Sequence, residues 1–138
     1  MKTAKPLLIS FEGIDGSGKS TQCKMLYHEL LDRGYGVHLY REPGGTAISE
    51  KIRDILLDRE NDEMSPITEM LLYFSSRNQL ITEKVLPALE RGEIVLLDRF
   101  VDSTIAYQGY GRDLSLESIR KVAEVAIGDL SPDLTILV

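Results

Sequence analysis

The sequence is short of cysteine, of long apolar stretches and of positive charge, and each shortage excludes a class of protein. A single cysteine, Cys23, among 138 residues rules out a disulfide framework inside the chain. No apolar run approaches the roughly 18 residues of a membrane-spanning helix. Residues 1–6 carry two lysines, but the apolar run after them is too short for a secretory signal, so a cytoplasmic protein with no membrane partner is expected. Lysine and arginine number 16 against 22 acidic residues, a net charge of −6. A protein that grips nucleic acid needs a basic footprint, and this balance argues against that partner. It leaves room for a small anion, because a local group of arginines can hold a phosphate within an acidic chain.

What remains reads as one folded domain. Hydrophobic residues make up 43% and charged residues 28%, a globular balance, and a chain of this length can bury about two thirds of its unfolded surface. Short apolar runs alternate with helical patterns, without repeats or linkers. Residues 7–11 form a buried strand that ends in a glycine-rich turn; a helix follows over 19–33, stopped by Gly34 and Gly36. Residues 37–40 make a second strand. Ile48, Ile52, Ile55 and Leu56 share one helical face. Ser65 and Pro66 start a helix as N-cap and first-turn proline, with Ile67, Met70, Leu71 and Phe74 on one side. A further helical pattern runs to Arg91, where Pro87 predicts a kink. Residues 94–97 are a continuous apolar strand ending in Asp98. Leu116, Ile119, Ala123 and Ala126 mark a late helix, and residues 134–138 begin another strand. Strands without polar alternation, separated by helices, predict an α/β fold with a parallel sheet and helices on both faces. Ligands on such sheets bind beyond the carboxyl ends of the strands. The sequence stops inside a predicted strand, so the domain spanning 1–138 is expected to be incomplete at its C-terminus.

The strongest motif is Gly13-Ile14-Asp15-Gly16-Ser17-Gly18-Lys19-Ser20, which matches G-x-x-x-x-G-K-[ST] between a strand and a helix. The glycines let backbone N–H groups turn inward around phosphate oxygens, and the helix N-terminus adds partial positive charge. Lys19 reaches for the β- and γ-phosphates; the Ser20 hydroxyl is placed for Mg²⁺, with Thr21 next to it in the first turn. The alternative is a glycine turn with a chance lysine. Asp98, at the end of its apolar strand, sits where a carboxylate would hold Mg²⁺ or its water beside this loop; the alternative is a helix cap or a solvated aspartate. The loop by itself specifies a nucleoside triphosphate with Mg²⁺, a P-loop NTPase fold, and no particular reaction.

Other residues gather at the remaining strand ends. Pro43, Gly44 and Gly45 make a tight turn that allows close backbone approach to a ligand, preceded by Arg41 and Glu42. Arg53 lies on the next helix, where Glu50 and Asp54 also allow a plain charged surface. Tyr73 and Arg77 are four apart and share a helix face; Phe74 belongs to the core stripe. Arg99 follows Asp98, and Tyr107, Gln108 and Gly109 come after a short helical turn. A lone arginine is usually solvated. Several together fit transfer between two phosphates, because a guanidinium binds phosphate bidentately. Cys23 reads as a small buried hydrophobe. His28 and His38 have no metal-ligand spacing, and the charged run 58–63 reads as a solvated loop.

In order along the chain, the phosphate loop with Asp15, then Arg-Glu-Pro-Gly-Gly-Thr at 41–46, Tyr-Phe-Ser-Ser-Arg at 73–77, Asp-Arg-Phe at 98–100 and Ala-Tyr-Gln-Gly at 106–109 resemble the thymidylate kinases over essentially the whole length. The resemblance implies ATP and dTMP as substrates, Mg²⁺ as cofactor and a homodimer. It implies that Lys19 and the loop residues Gly13, Ile14, Asp15, Gly16, Ser17, Gly18, Ser20 and Thr21 hold ATP, with Ser20 and Asp98 at the metal. Asp15 would contact the deoxyribose 3′-hydroxyl, Tyr73 would stack on thymine, and Arg77 would hydrogen-bond the base. Arg53 and Arg99 would hold the acceptor phosphate. Thr104 and Gln108 would orient the base, Tyr107 would crowd the sugar 2′-position, and Glu42 would shape the site with Pro43. Lys19, Asp15, Arg53 and Arg99 form the implied catalytic set.

Gly16 is a departure with a consequence. Some members of the family carry a basic residue there; those with glycine tend to supply a catalytic arginine from a lid further along the chain. The 138 residues alone are therefore expected to be a weak catalyst or none. Three other classes share parts of the pattern. A regulatory GTPase wants D-x-x-G, which residues 98–101 lack. A deoxynucleoside kinase would phosphorylate a hydroxyl with a base beside it. A nucleotide-binding remnant would keep the loop without the reaction.

Overall fold

A computed structural model describes residues 1–2 and 5–138. Thr3 and Ala4, inside the N-terminal stretch weighed above as a leader, lie outside the described residues. Four strands, β1 (Leu7–Glu12), β2 (Val37–Arg41), β3 (Ile94–Asp98) and β4 (Leu134–Leu137), form one sheet in the order β2-β3-β1-β4. Every pairing is parallel. The register sets Phe11 and Arg41 each opposite Asp98, so three strands end at one level.

Burial on both faces of the central strands β1 and β3 follows from their largely apolar runs, since successive side chains point to opposite faces. Leu8, Val95 and Leu97 face one way and pack with Leu80, Ile81, Val85 and Phe100. Ile9, Phe11, Ile94 and Leu96 face the other way and pack with Cys23, Leu26 and Leu30. The last three lie on α1 (Lys19–Asp32). Helices thus cover both faces, as the patterning predicts.

The remaining helices are α2 (Ala47–Leu57), α3 (Pro66–Leu80), α4 (Leu86–Glu90), α5 (Val101–Thr104) and α6 (Leu116–Ile127). Thr46 caps α2, its hydroxyl accepting the Ser49 N–H at 3.0 Å; Ser65 caps α3 through the Thr68 N–H at 3.1 Å, as read from Ser65-Pro66. Pro87 does not break its helix sharply. A widened π turn, Ile81–Val85, lies just before it, and it lets the chain pass a residue that has no N–H to donate. The short helical turn predicted after Arg99 is longer than expected: α5 runs into a π segment, Ile105–Tyr110, which itself carries Tyr107, Gln108 and Gly109.

The apolar stripes of α2 and α3 are corrected by the structure. Met70 and Phe74 are buried, but Ile67 and Leu71 are 57% and 47% exposed. On α2, Ile48 and Ile55 are also exposed. The buried side of α3 runs through Met70, Phe74 and Arg77. A charged residue completes that stripe, so the count of apolar residues places the inward face a fraction of a turn off, with Met70 and Phe74 common to both.

Candidate active site

The carboxyl ends of β1, β2 and β3 open into a cavity of about 370 Å³. At one end stands the phosphate loop. Gly18 has φ +91°, a left-handed conformation open to glycine at no steric cost, and it caps α1. That conformation turns the chain from the loop into the helix and leaves the first amides of α1 unpaired within the helix, free for an anion. Lys19 is buried and paired with Asp98. Ser20 Oγ donates to Asp98 Oδ2 at 2.7 Å. One carboxylate therefore meets both the loop's lysine and its hydroxyl, as expected of the strand end. Ser20 and Asp98 fit Mg²⁺ by their chemistry: they are hard oxygen donors lying together, and this ion takes few protein ligands alongside water and phosphate.

At the opposite end the turn after β2 is fixed by glycine. A Cβ on Gly45 would come within 2.7 Å of Leu80 Cδ1, and its φ is +97°. The Gly45 N–H donates to Glu50 Oε1 at 2.9 Å, the Gly44 N–H to Ser76 Oγ at 3.1 Å. The Pro43 carbonyl, exposed to the cavity by this turn, accepts from Arg53 at 2.8 Å. Arg53 is thus aimed inward and is not part of the solvated surface that its acidic neighbours allowed. Arg41 pairs with Glu50 at 3.2 Å and also lines the cavity.

Between the two ends lies a buried polar network. Arg77 is 2% exposed. Its Nε donates to both Glu42 oxygens at 3.1 and 2.9 Å, one terminal nitrogen donates to Thr104 Oγ1 at 2.9 Å, and the other to the Phe100 carbonyl at 3.1 Å. Two of the five guanidinium N–H groups remain uncommitted among the described residues. Glu42, deeply buried, has its carboxyl pushed upward by desolvation, which the Arg77 charge opposes. Sequence reading gave Arg77 to the base and Thr104 to its orientation; both line the cavity, and Thr104 meets Arg77 directly.

Arg99 sits at φ +79°, uncommon for any side-chain-bearing residue. Its guanidinium donates to Asp15 Oδ1 at 2.6 Å and to Ser103 Oγ at 3.3 Å, and lies 5.3 Å from the Tyr107 ring centroid. Asp15 is otherwise fully exposed. Tyr73 borders the same space, its phenol pushed upward by burial and then by the Glu69 charge. Gln108 is buried and donates to Glu69 Oε1 at 2.9 Å. Among the loop residues, Ile14 and Thr21 point to solvent. Cys23 is buried as expected, with its thiol raised to about 12 by desolvation.

Glu12 was missed by sequence reading. It ends β1 as Asp98 ends β3, and that symmetry of two strand-terminal acids was the available signal. Its carboxylate accepts the Phe100 N–H at 2.7 Å and the Ser103 hydroxyl at 2.5 Å, while the Arg99 N–H donates to the Phe11 carbonyl at 2.9 Å. These bonds hold the backbone on both sides of Arg99. Burial pushes the Glu12 carboxyl upward, against the lowering effects of Ser103 and the Phe100 N–H. A folded-state pKa above the unfolded value means that the folded chain holds the proton longer. Its contribution is present below the ordinary value near 4.5 and is lost as pH rises through the raised value. Glu12→Gln removes this titration while its amide can still accept from Phe100. Its thermal midpoint, relative to the parent, should therefore climb between pH 4 and pH 7; a pH-independent difference would contradict it.

A glycine loop between a parallel strand and a helix, with the aspartate of the adjacent strand meeting the loop's lysine and serine, defines a P-loop NTPase fold. The family model for thymidylate kinase matches residues 11–138. Over 134 residues the chain is 58% identical to the thymidylate kinase of Thermoanaerobacter sp. (strain X514), covering 97% of this chain and 66% of that protein. The thymidylate kinase of Caldanaerobacter subterraneus subsp. tengcongensis is 56% identical over 94% of this chain and 62% of its own length. The crystal structure of thymidylate kinase from Ehrlichia chaffeensis superposes with a TM-score of 0.89 at 38% identity, over 96% of this chain and 74% of that one. The chain belongs to the thymidylate kinase family, and it spans 66% and 62% of the length of these two curated relatives.

Proposed function

We propose that the protein transfers the γ-phosphoryl group of ATP to dTMP, giving ADP and dTDP on the route to dTTP. The observation that carries this reading is the single cavity that joins the phosphate loop to two inward-facing arginines and a buried polar recess. ATP would lie along the loop and replace Asp98 as the partner of Lys19. Ser20 and Asp98 would hold Mg²⁺, which supplies charge neutralisation between the β- and γ-phosphates. Arg53 and Arg99 would grip the dTMP phosphate, with Asp15 released from Arg99 toward the sugar. Tyr73 and the Arg77–Gln108 recess would take the base, and Tyr107 the sugar face. One oxygen of the dTMP phosphate forms the new bond to the γ-phosphorus as the bond to the β–γ bridging oxygen breaks, and that oxygen leaves with ADP. The attacking oxygen is already anionic near neutral pH, so alignment and charge neutralisation do the work without a strong base.

A homodimer and a cytoplasmic setting belong to the same reading. The exposed Ile48 and Ile55 on α2 and Ile67 and Leu71 on α3 support a second copy docked across these helices, since grouped apolar side chains mark association surfaces. Among the described residues no helix is long and apolar enough to cross a membrane. The test is to assay the protein with Mg-ATP and each nucleoside monophosphate, with thymidine alongside. Selective formation of dTDP is expected. Phosphorylation of thymidine in place of dTMP would overturn the roles of Arg53 and Arg99.

A further inference from the structure

We infer that Glu69 sets the base preference of the acceptor site by fixing the Gln108 amide so that its oxygen, not its nitrogen, faces the cavity. The inference rests on the acceptor reading above and deepens it.

A side-chain amide presents a donor or an acceptor according to a half turn about its last bond, and its neighbours decide which. Gln108 is 3% exposed and lines the cavity. Its Nε2 lies 2.9 Å from Glu69 Oε1. A carboxylate offers only acceptors, so the nitrogen must face it. Arg112 lies 3.7 Å from the other Glu69 oxygen, which leaves Oε1 to the amide. Gln108 Oε1 is then turned away from Glu69, and it has no protein partner among the described residues.

The same helix supplies the complement. Glu69, Tyr73 and Arg77 are spaced by four along α3 and so lie along one side of it. Arg77 keeps two N–H groups beyond those given to Glu42, Thr104 and Phe100. One cavity is thus lined both by an acceptor, Gln108 Oε1, and by donors on Arg77. That order fits a pyrimidine with N3–H and a C4 carbonyl, as in thymine or uracil. Cytosine carries the reverse order, an acceptor at N3 and an amine at C4, and would leave buried polar groups facing their own kind. Sites built around such bonds reject the mismatched analogue by up to about 10⁴–10⁵-fold. If the amide turned over, Gln108 would offer a donor at this point and would no longer favour N3–H. Glu69 is therefore a positioning residue: it acts on the base through Gln108.

The experiment compares equilibrium binding of dTMP and 5-methyl-dCMP, which share size, sugar, phosphate and methyl group and differ only at this edge. The parent protein should prefer dTMP by at least about a hundredfold. Glu69→Ala should lower that preference roughly tenfold or more, because the amide is free to turn. Glu69→Gln keeps an oxygen that can accept from Gln108, so its preference should lie between the two. The ratio of the two affinities cancels any loss of folded protein, so instability alone cannot produce the result. An unchanged ratio in Glu69→Ala overturns the role of Glu69 and leaves the acceptor reading standing. A parent protein that binds neither monophosphate overturns the acceptor reading, and the inference falls with it.

Discussion

Glu42→Ala should lower the unfolding free energy by about 3–5 kcal/mol, the cost of leaving a buried charge without its partner. Glu42 and Arg77 side chains are 3% and 2% exposed. The pair was desolvated together, and Arg77 cannot shed its charge when the carboxylate goes. Thr104 Oγ1 and the Phe100 carbonyl would still accept from the guanidinium, but neither brings negative charge. Domains of this size are stable by roughly 5–15 kcal/mol, so the loss takes a large share of the total. Urea titration of parent and variant measures it. Glu42→Gln should cost less, since it keeps one acceptor for Arg77 Nε. A loss under about 1 kcal/mol for the alanine variant would mean that the remaining acceptors suffice, as for an ordinary neutral hydrogen bond.

Arg99→Ala should lower phosphoryl transfer by about a hundredfold or more, a few kcal/mol of barrier. The guanidinium stands between Asp15 and Ser103 at the cavity, where it would cancel the repulsion between donor and acceptor phosphates. Arg99→Lys keeps the charge without the planar fork and should recover only part of the rate. The KM for ATP should change little, because Lys19 and the loop amides bind that substrate in the proposed mechanism. An equal loss of ATP affinity would point instead to collapse of the loop. The left-handed φ of Arg99 is relevant here. Strained backbone persists where its surroundings over-determine it, and the bonds from Arg99 N–H to Phe11 and from Phe100 N–H to Glu12 do so. Alanine inherits that strain and glycine does not. Arg99→Gly should therefore match Arg99→Ala in rate while unfolding at a higher temperature.

Much of the fold was legible because its rules are local. Four short, largely apolar runs separated by helical patterns predicted the parallel sheet, and the cap at Ser65 follows from a single side chain meeting an amide three residues on. The phosphate loop was legible for the same reason: glycine conformations, one lysine and one serine are fixed within eight residues. Asp98 was legible because a strand end has only one place to go. The exposed side of α3 was not, since the buried stripe includes Arg77, and hydrophobic periodicity cannot register a charge that folds inward.

By itself, then, the sequence determined the elements, their parallel arrangement and the nucleotide loop, all set by backbone sterics and apolar burial over short spans. Its order of motifs also carried the resemblance to the thymidylate kinases, which the comparisons bear out. Tertiary structure decided which polar side chains meet. Arg77 is joined to Glu42 across 35 residues, Arg99 to Asp15 across 84, Gln108 to Glu69 across 39, and Glu12 to Ser103 across 91. No local rule selects among the many acidic and basic residues available to each. The selection is made when the strands align their ends, because desolvation then makes an unpaired group costly and only the partners brought to that level of the sheet can satisfy it.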